Sequence, residues 1–388
     1  MVKKLPTSIF CVAALLFTLN TVFSQNEKIS NTSPDDSSKI TKTSVFQYIE
    51  KNFKIGGWID AQYQYDNNWT ESQSSVFQIR RARLDFKGSL SKWVDFRLQA
   101  DFAPTPRLID AFIKVNFCKY AKLQVGQFKI PFSLENILSP LDLELMENAQ
   151  VISALSGYKD VTGISSYANG REIGAMLTGT LVETTIRDEK IPILRYGVGV
   201  FGGNGINVKT DNLAKDISAR IEFCPFVKHL TLSVSGYWGK YDMFYNNNLT
   251  NIDGKRIRYA GGLQYADGNW VLRSEYLWGN TEFAMLDETQ DTYTPTPLHT
   301  HGFYLTAGYW FKFGWGANST VRQKLRPVLR FDYYEKDLAA NTPSMYYSTG
   351  VEWWPEKHLR VQIAYTLKQR QQEPQIGHNI TAMISAVF

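Results

Sequence analysis

The sequence predicts an all-β fold, a transmembrane antiparallel β-barrel of about sixteen strands with a long third outer loop folded into the pore. Three observations lead there. Strand after strand alternates one apolar face with one polar face. Connections alternate between short turns and longer loops. Beyond the N-terminus the chain has no apolar run of the roughly 18 residues a membrane-spanning helix needs, so a membrane role must use strands.

The N-terminus reads as a secretory signal: Lys3 and Lys4, an apolar run from Ile9 to Leu19, and Val22-Phe23-Ser24 before Gln25 as the cleavage site. Residues 1–24 are therefore expected to be removed. Residues 25–50 are rich in Ser, Thr, Asp and Asn and read as a flexible periplasmic lead-in. Residues 51–388 are the expected barrel domain.

Within it, strands are expected near 53–65, 76–88, 93–103, 107–117, 120–128, 171–182, 192–203, 215–224, 229–241, 255–266, 269–280, 301–314, 323–336, 343–354, 357–370 and 378–388. The third sets Phe96, Leu98 and Ala100 against Arg97, Gln99 and Asp101. The fourth does the same with one exception, Phe112, which falls on the polar side. In the second, Phe77 and Ile79 share the parity of Arg81, Arg83 and Asp85, so the strand either bulges near Arg80 or leaves the membrane there. The last strand alternates Ile380, Ala382 and Ile384 and ends in Phe388, an ending that resembles an outer-membrane assembly signal. Aromatic residues gather near strand ends (Tyr63, Tyr65, Trp93, Trp278, Trp353, Trp354), as in the girdles of membrane barrels.

With strand 1 starting in the periplasm, SLSK, KYA, PFVKH, ADGN and WPEKH are short periplasmic turns. The longer outer connections are 66–75, 129–170, 244–254 and 281–300. The stretch from Lys129 to Gly170 is far longer than a hairpin loop, yet it carries Leu, Ile, Phe, Met and Val throughout. Such a loop is ordered and functional rather than a linker.

The inward faces carry charges of both signs, which are costly against lipid and belong in a wet lumen. Candidate pore-lining, anion-steering bases are Arg81, Arg83, Arg97, Lys114, Lys129, Arg171, Arg220 and Arg330. The long loop offers acids, Glu135, Asp142, Glu144 and Glu147, expected to stand opposite Arg81, Arg83 and Arg97 across a constriction. The implied activity is passive diffusion of small hydrophilic solutes, with a modest anion preference. The alternative is a barrel that is not a diffusion pore, either a rim enzyme or a surface-binding scaffold.

Chemistry beyond passage has little support in the sequence. The formal charge is +5 and falls to +3 when Lys3 and Lys4 leave, which is too mild to indicate nucleic-acid binding. Cys118 and Cys224 make neither a disulfide framework nor a zinc site. His299 and His301 lack a fixed third ligand. No catalytic residue, metal site or cofactor is expected. The expected partners are outer-membrane lipid and the solute.

Four segments in order resemble the porin O/P family of outer-membrane barrels: FQIRRARLDFKGSL (77–90), DAFIKV (110–115), VGQFKIPFSLE (125–135) and GREIGAMLTG (170–179). The resemblance implies a sixteen-stranded barrel, a homotrimer, a long loop after the fifth strand folded into the channel, and uptake of small anions such as phosphate in a bacterial outer membrane. Where that family often has Glu-Arg in the long loop, this chain has Glu147-Asn148.

Overall fold

The computed structural model describes residues 51–67, 73–156, 161, 170–186, 189–209, 215–225, 229–245, 248–287, 292–314, 322–371, 373 and 375–388. The expected signal segment and lead-in lie outside these residues. Strands β1 (Phe53–Asn67), β2 (Gln73–Ser91), β3 (Val94–Asp101), β4 (Arg107–Cys118) and β5 (Ala121–Lys129) come first. A long connection follows and contains one short helix, α1 (Gln150–Leu155). The chain continues through β6 (Arg171–Ile186), β7 (Glu189–Phe201), β8 (Asp216–Phe223), β9 (Leu230–Tyr245), β10 (Asn248–Ala266) and β11 (Trp270–Asp287). It ends with β12 (Thr292–Tyr309), β13 (Phe311–Gly314), β14 (Arg322–Glu335), β15 (Ser344–Glu356), β16 (Leu359–Arg370) and β17 (Gly377–Val387).

All pairs are antiparallel, and all but β1–β17 and β12–β14 join sequence neighbours. β13 continues β12 past Trp310, and both pair with β14, so the wall has sixteen staves. The first and last strands close the sheet, from Trp58 opposite Val387 to Asn67 opposite His378. Closure leaves no unpaired strand edge in hydrocarbon, which a membrane-spanning sheet requires.

The radial order of side chains is the reverse of a soluble core. On β8, Ile217 and Ile221 are 47% and 55% exposed, while Asp216, Ser218 and Arg220 are buried inside. On β14, Leu329 faces out and Arg330 faces in. Trp93, Tyr120, Trp270, Phe311 and Phe388 are exposed at the end of the barrel that carries the short turns. The bulge falls where parity demands it. The β1–β2 register shifts between Asp60 and Ala61, whose partners are Arg81 and Ile79. Arg80 is the extra residue, so Arg80 and Arg81 both reach inward, to Gln62 and Asp60.

Several boundaries differ from the sequence reading. The stretches 244–254 and 281–300, expected as loops, are mostly strand. β9 runs to Tyr245 and β10 resumes at Asn248, and β11 runs to Asp287 with β12 from Thr292. The connection read at 183–191 narrows to the space between Ile186 and Glu189. An antiparallel ladder satisfies its own backbone, so it can continue beyond the apolar band without an apolar face to advertise it.

Candidate functional site: the loop-lined lumen

The chain from Ile130 to Leu155 lies against the inner wall. Its root is fixed by Lys129, whose Nζ donates to the carbonyls of Asn136 and Leu138 at 2.6 and 2.5 Å. Ser133 takes a positive φ of 64°. There the chain turns so that one carboxylate, Glu275 of β11, accepts from Leu134 N at 2.7 Å, Glu135 N at 2.8 Å and Ser133 Oγ at 3.1 Å. Tyr304 Oη of β12 adds a further hydrogen bond of 2.8 Å to the same group. Buried amides left without partners are costly, and Glu275 takes two adjacent ones.

Charged pairs fix the middle of the loop. Glu144 accepts a bidentate pair from Arg273 at 2.7 and 3.1 Å, and Arg326 lies 3.5 Å away. Arg360 donates to the carbonyls of Pro140 and Leu143 at 3.2 and 2.7 Å. Glu135 receives Arg330 at 3.2 Å and the amide of Ala149 at 2.8 Å. Glu147 receives Arg80 at 2.8 Å. Asp332 caps the amide of Gln150, and Arg258 bonds the carbonyl of Leu155 at the helix end.

Beneath these polar ties is an apolar cluster inside the barrel. Phe132, Val151, Ile152 and Leu155 of the loop pack on Phe128, Phe201, Tyr237, Leu277 and Tyr304 of the wall. Phe112, the exception to alternation on β4, stands 5.9 Å from Phe128 and borders this cluster. Its inward position is explained by the loop it meets.

The expected bases are placed as follows. Arg81 pairs with Asp60 at 3.1 Å, and Arg83 with Asp101 at 2.9 Å. Arg97 bridges Asp85 and Asp110, and Arg171 bonds the same Asp110 at 2.7 Å. These partners are on the wall, not on the loop: on adjacent strands for Arg81, Arg83 and Arg97, and across β5 on β4 for Arg171. Arg220 and Arg330 hold loop groups, the carbonyl of Ser133 and the carboxylate of Glu135. Lys114 makes no ion pair among the described residues, and neither does Lys122. The expected opposition of loop acids to Arg81, Arg83 and Arg97 is replaced by Glu144 on Arg273 and Arg326, Glu135 on Arg330, and Glu147 on Arg80. Only Asp142 shares a cavity with Arg83 and Arg97. Arg273, Arg326 and Arg360 also face inward, and nothing in the sequence marks them as the bases that grip the loop. Their partners depend on how the loop crosses the lumen.

Three chambers of the lumen are lined by described residues. One, about 490 Å³, opens where the longer connections lie, between the loop and β1, β2 and β14–β17. A second, about 380 Å³, lies mid-barrel beside Trp58, Arg83 and Arg97. A third, about 560 Å³, opens toward the short turns beside Lys114, Lys122, Lys129, Arg195 and Arg220. His301 points out of the barrel instead, bonding Tyr276 Oη and Glu335 at 3.1 Å each.

No curated protein matches this sequence. Solved structures do match its fold. The anion-selective porin of Comamonas acidovorans superposes with a TM-score of 0.60 at 12% identity, over 87% of this chain and 99% of that one. OprB of Pseudomonas putida, at high pH, gives 0.57 at 12% identity over 89% and 96%. OmpT, an outer membrane protein of Vibrio cholerae in a trimer form, gives 0.56 at 9% over 87% and 99%. At these identities the likeness concerns the fold alone. The model of the family "Phosphate-selective porin O and P" matches residues 53–379, nearly the whole barrel. The chain therefore belongs to the phosphate-selective porin O and P family, whose members are outer-membrane barrels.

Proposed function

We propose that this porin passes small hydrophilic solutes by passive diffusion, with a modest preference for anions, and that residues 130–156 form its constriction. It acts as a channel and not as a rim enzyme. One observation carries the preference. The chamber toward the short turns is bordered by five bases, Lys114, Lys122, Lys129, Arg195 and Arg220, against one acid, Glu222. A cationic wall with low-dielectric sides raises the local anion concentration. Phosphate falls within the class so favoured. The constriction reading rests on the ion pairs and the apolar cluster that fasten the loop to the inner wall.

We further infer a cleaved signal at residues 1–24, a bacterial outer-membrane location, and assembly as a homotrimer. The test is planar-bilayer recording across a KCl gradient and then a potassium phosphate gradient. Stepwise conductance with a reversal potential favouring the anion is expected, and Lys114→Glu with Lys122→Glu should move it toward the cation. Folded protein without stepwise conductance sinks the channel reading. An unshifted reversal potential in the double variant sinks the assignment of the preference to this chamber. Cross-linking of the same detergent preparation should give a three-copy band, and a monomer band alone rejects the trimer.

A further inference from the structure

The chamber at the loop end is chemically unlike the one toward the turns. Among the described residues that line it, three bases (Arg80, Arg330, Lys368) meet three acids (Asp66, Glu147, Asp332). Each charge is already engaged. Lys368 Nζ lies 2.7 and 2.8 Å from the two oxygens of Asp66. Arg80 holds Glu147, Arg330 holds Glu135, and Asp332 takes the amide of Gln150. No surplus of either sign remains to recruit an ion.

What faces the remaining space is neutral hydrogen-bonding chemistry: the amides of Gln64, Gln78, Asn148 and Gln150 and the hydroxyls of Thr366 and Thr381. Such groups offer donors and acceptors side by side, the pattern that vicinal hydroxyls of a sugar complement. The Gln150 side chain lies against the Asp332 carboxylate, which also accepts from the Gln150 backbone N–H at 2.8 Å. Tyr334 and Tyr346 border the same space with aromatic surface for C–H faces. A volume of about 490 Å³ lies in the range of small-molecule sites, roughly 300–1,000 Å³.

We propose that this chamber is a binding subsite for an uncharged polyhydroxylated solute, a sugar or short oligosaccharide, which it captures before the constriction. This rests on the porin reading above and adds a solute class that the family name does not contain. A diffusion pore with such a subsite would conduct ions by default and saturate with sugar.

The experiment uses the full-length channel in a planar bilayer, with maltotriose as the probe and a polyethylene glycol of matched size as the control. Maltotriose should block the current saturably, and more tightly from one side than the other. Polyethylene glycol, which lacks the hydroxyl array, should give only a linear, volume-exclusion reduction. Gln64→Leu with Asn148→Leu should raise the half-blocking concentration at least about fivefold, the order expected for the loss of two hydrogen-bonding side chains. Equal block by the two probes overturns the proposal, and so does a double variant blocked as well as the natural chain. If the variant does not fold, the maltotriose and polyethylene glycol comparison on the natural chain still decides. Absence of any stepwise conductance would reject the porin reading instead, so the two failures are distinguishable.

Discussion

Glu144 shows what one residue does in this lumen. Its carboxylate is almost fully buried and takes Arg273 in a fork, with Arg326 at 3.5 Å. A buried pair is weak evidence of net stabilisation, but removing one partner strands the other charge at a cost of roughly 3–5 kcal/mol. Glu144→Gln keeps the shape and removes the charge from between two guanidiniums. We expect the folded barrel to persist while the loop loosens. Limited chymotrypsin digestion in detergent should then cut within 130–156, where the natural chain resists, and the single-channel current should rise. Equal resistance and equal current would show that Glu144 does not hold the loop. The sign of this interaction was legible in the sequence, since a loop with Glu135, Asp142, Glu144 and Glu147 inside a barrel of bases must find cations. The partners were not legible. Arg273 is separated from Glu144 by 129 positions, and only the path of the loop decides which strand it meets.

At the scale of elements, the loop is received by sockets where the wall has no side chain. A β-carbon built on Gly279 of β11 would stand 2.7 Å from Leu155 Cδ2. One on Gly302 of β12 would stand 2.9 Å from Val151 Cβ, and one on Gly350 of β15 would stand 2.9 Å from Leu145 Cδ2. Glycine in a strand is otherwise a weak choice, and close approach of another chain segment is one reason for it. Gly279→Val places two methyl groups in the space of Leu155. The helix should be displaced without unfolding the barrel, giving a larger conductance step and unchanged heat-modifiable migration on gels. Unaltered conductance in a correctly folded variant would mean that the helix does not narrow the lumen. The order of this loop was legible, because Phe132, Leu143, Leu145 and Val151 are too apolar for a linker. The helix was not. Six residues are too few to nucleate alone in water, so α1 exists through its contacts with β11, β12 and β14. The same limit hid the prolongation of β11 and β12, whose outer pairs, such as Ala284 with Pro295, carry no alternating pattern.

Across the whole molecule, the lining changes character along the axis. The loop-end chamber balances three bases with three acids. The mid-barrel chamber sets Arg83, Arg97, Lys129 and Arg171 against Asp110 and Asp142. The turn-end chamber sets five bases against Glu222. The barrel and its parity could be read from alternation in strands such as β8 and β17. This axial gradient could not, because chamber membership depends on how the loop partitions the lumen. A pore with fixed positive charge gathered at one mouth fills with anions more readily from that mouth, so currents of opposite sign should differ. The Debye length is about 10 Å at 0.1 M salt and about 3 Å at 1 M, so the fixed charge governs the mouth only in dilute salt. We therefore expect rectification in symmetric 0.1 M KCl that disappears at 1 M, with Lys114→Gln and Lys122→Gln together reducing it at low salt. These two side chains are suited to the test because neither forms an ion pair among the described residues, so neutralising them strands no buried carboxylate. Symmetric currents at low salt would refute the gradient as an operating feature. Rectification that persists at 1 M would trace to a moving part, and the Glu144→Gln channel would then identify the loop as that part if it rectified differently.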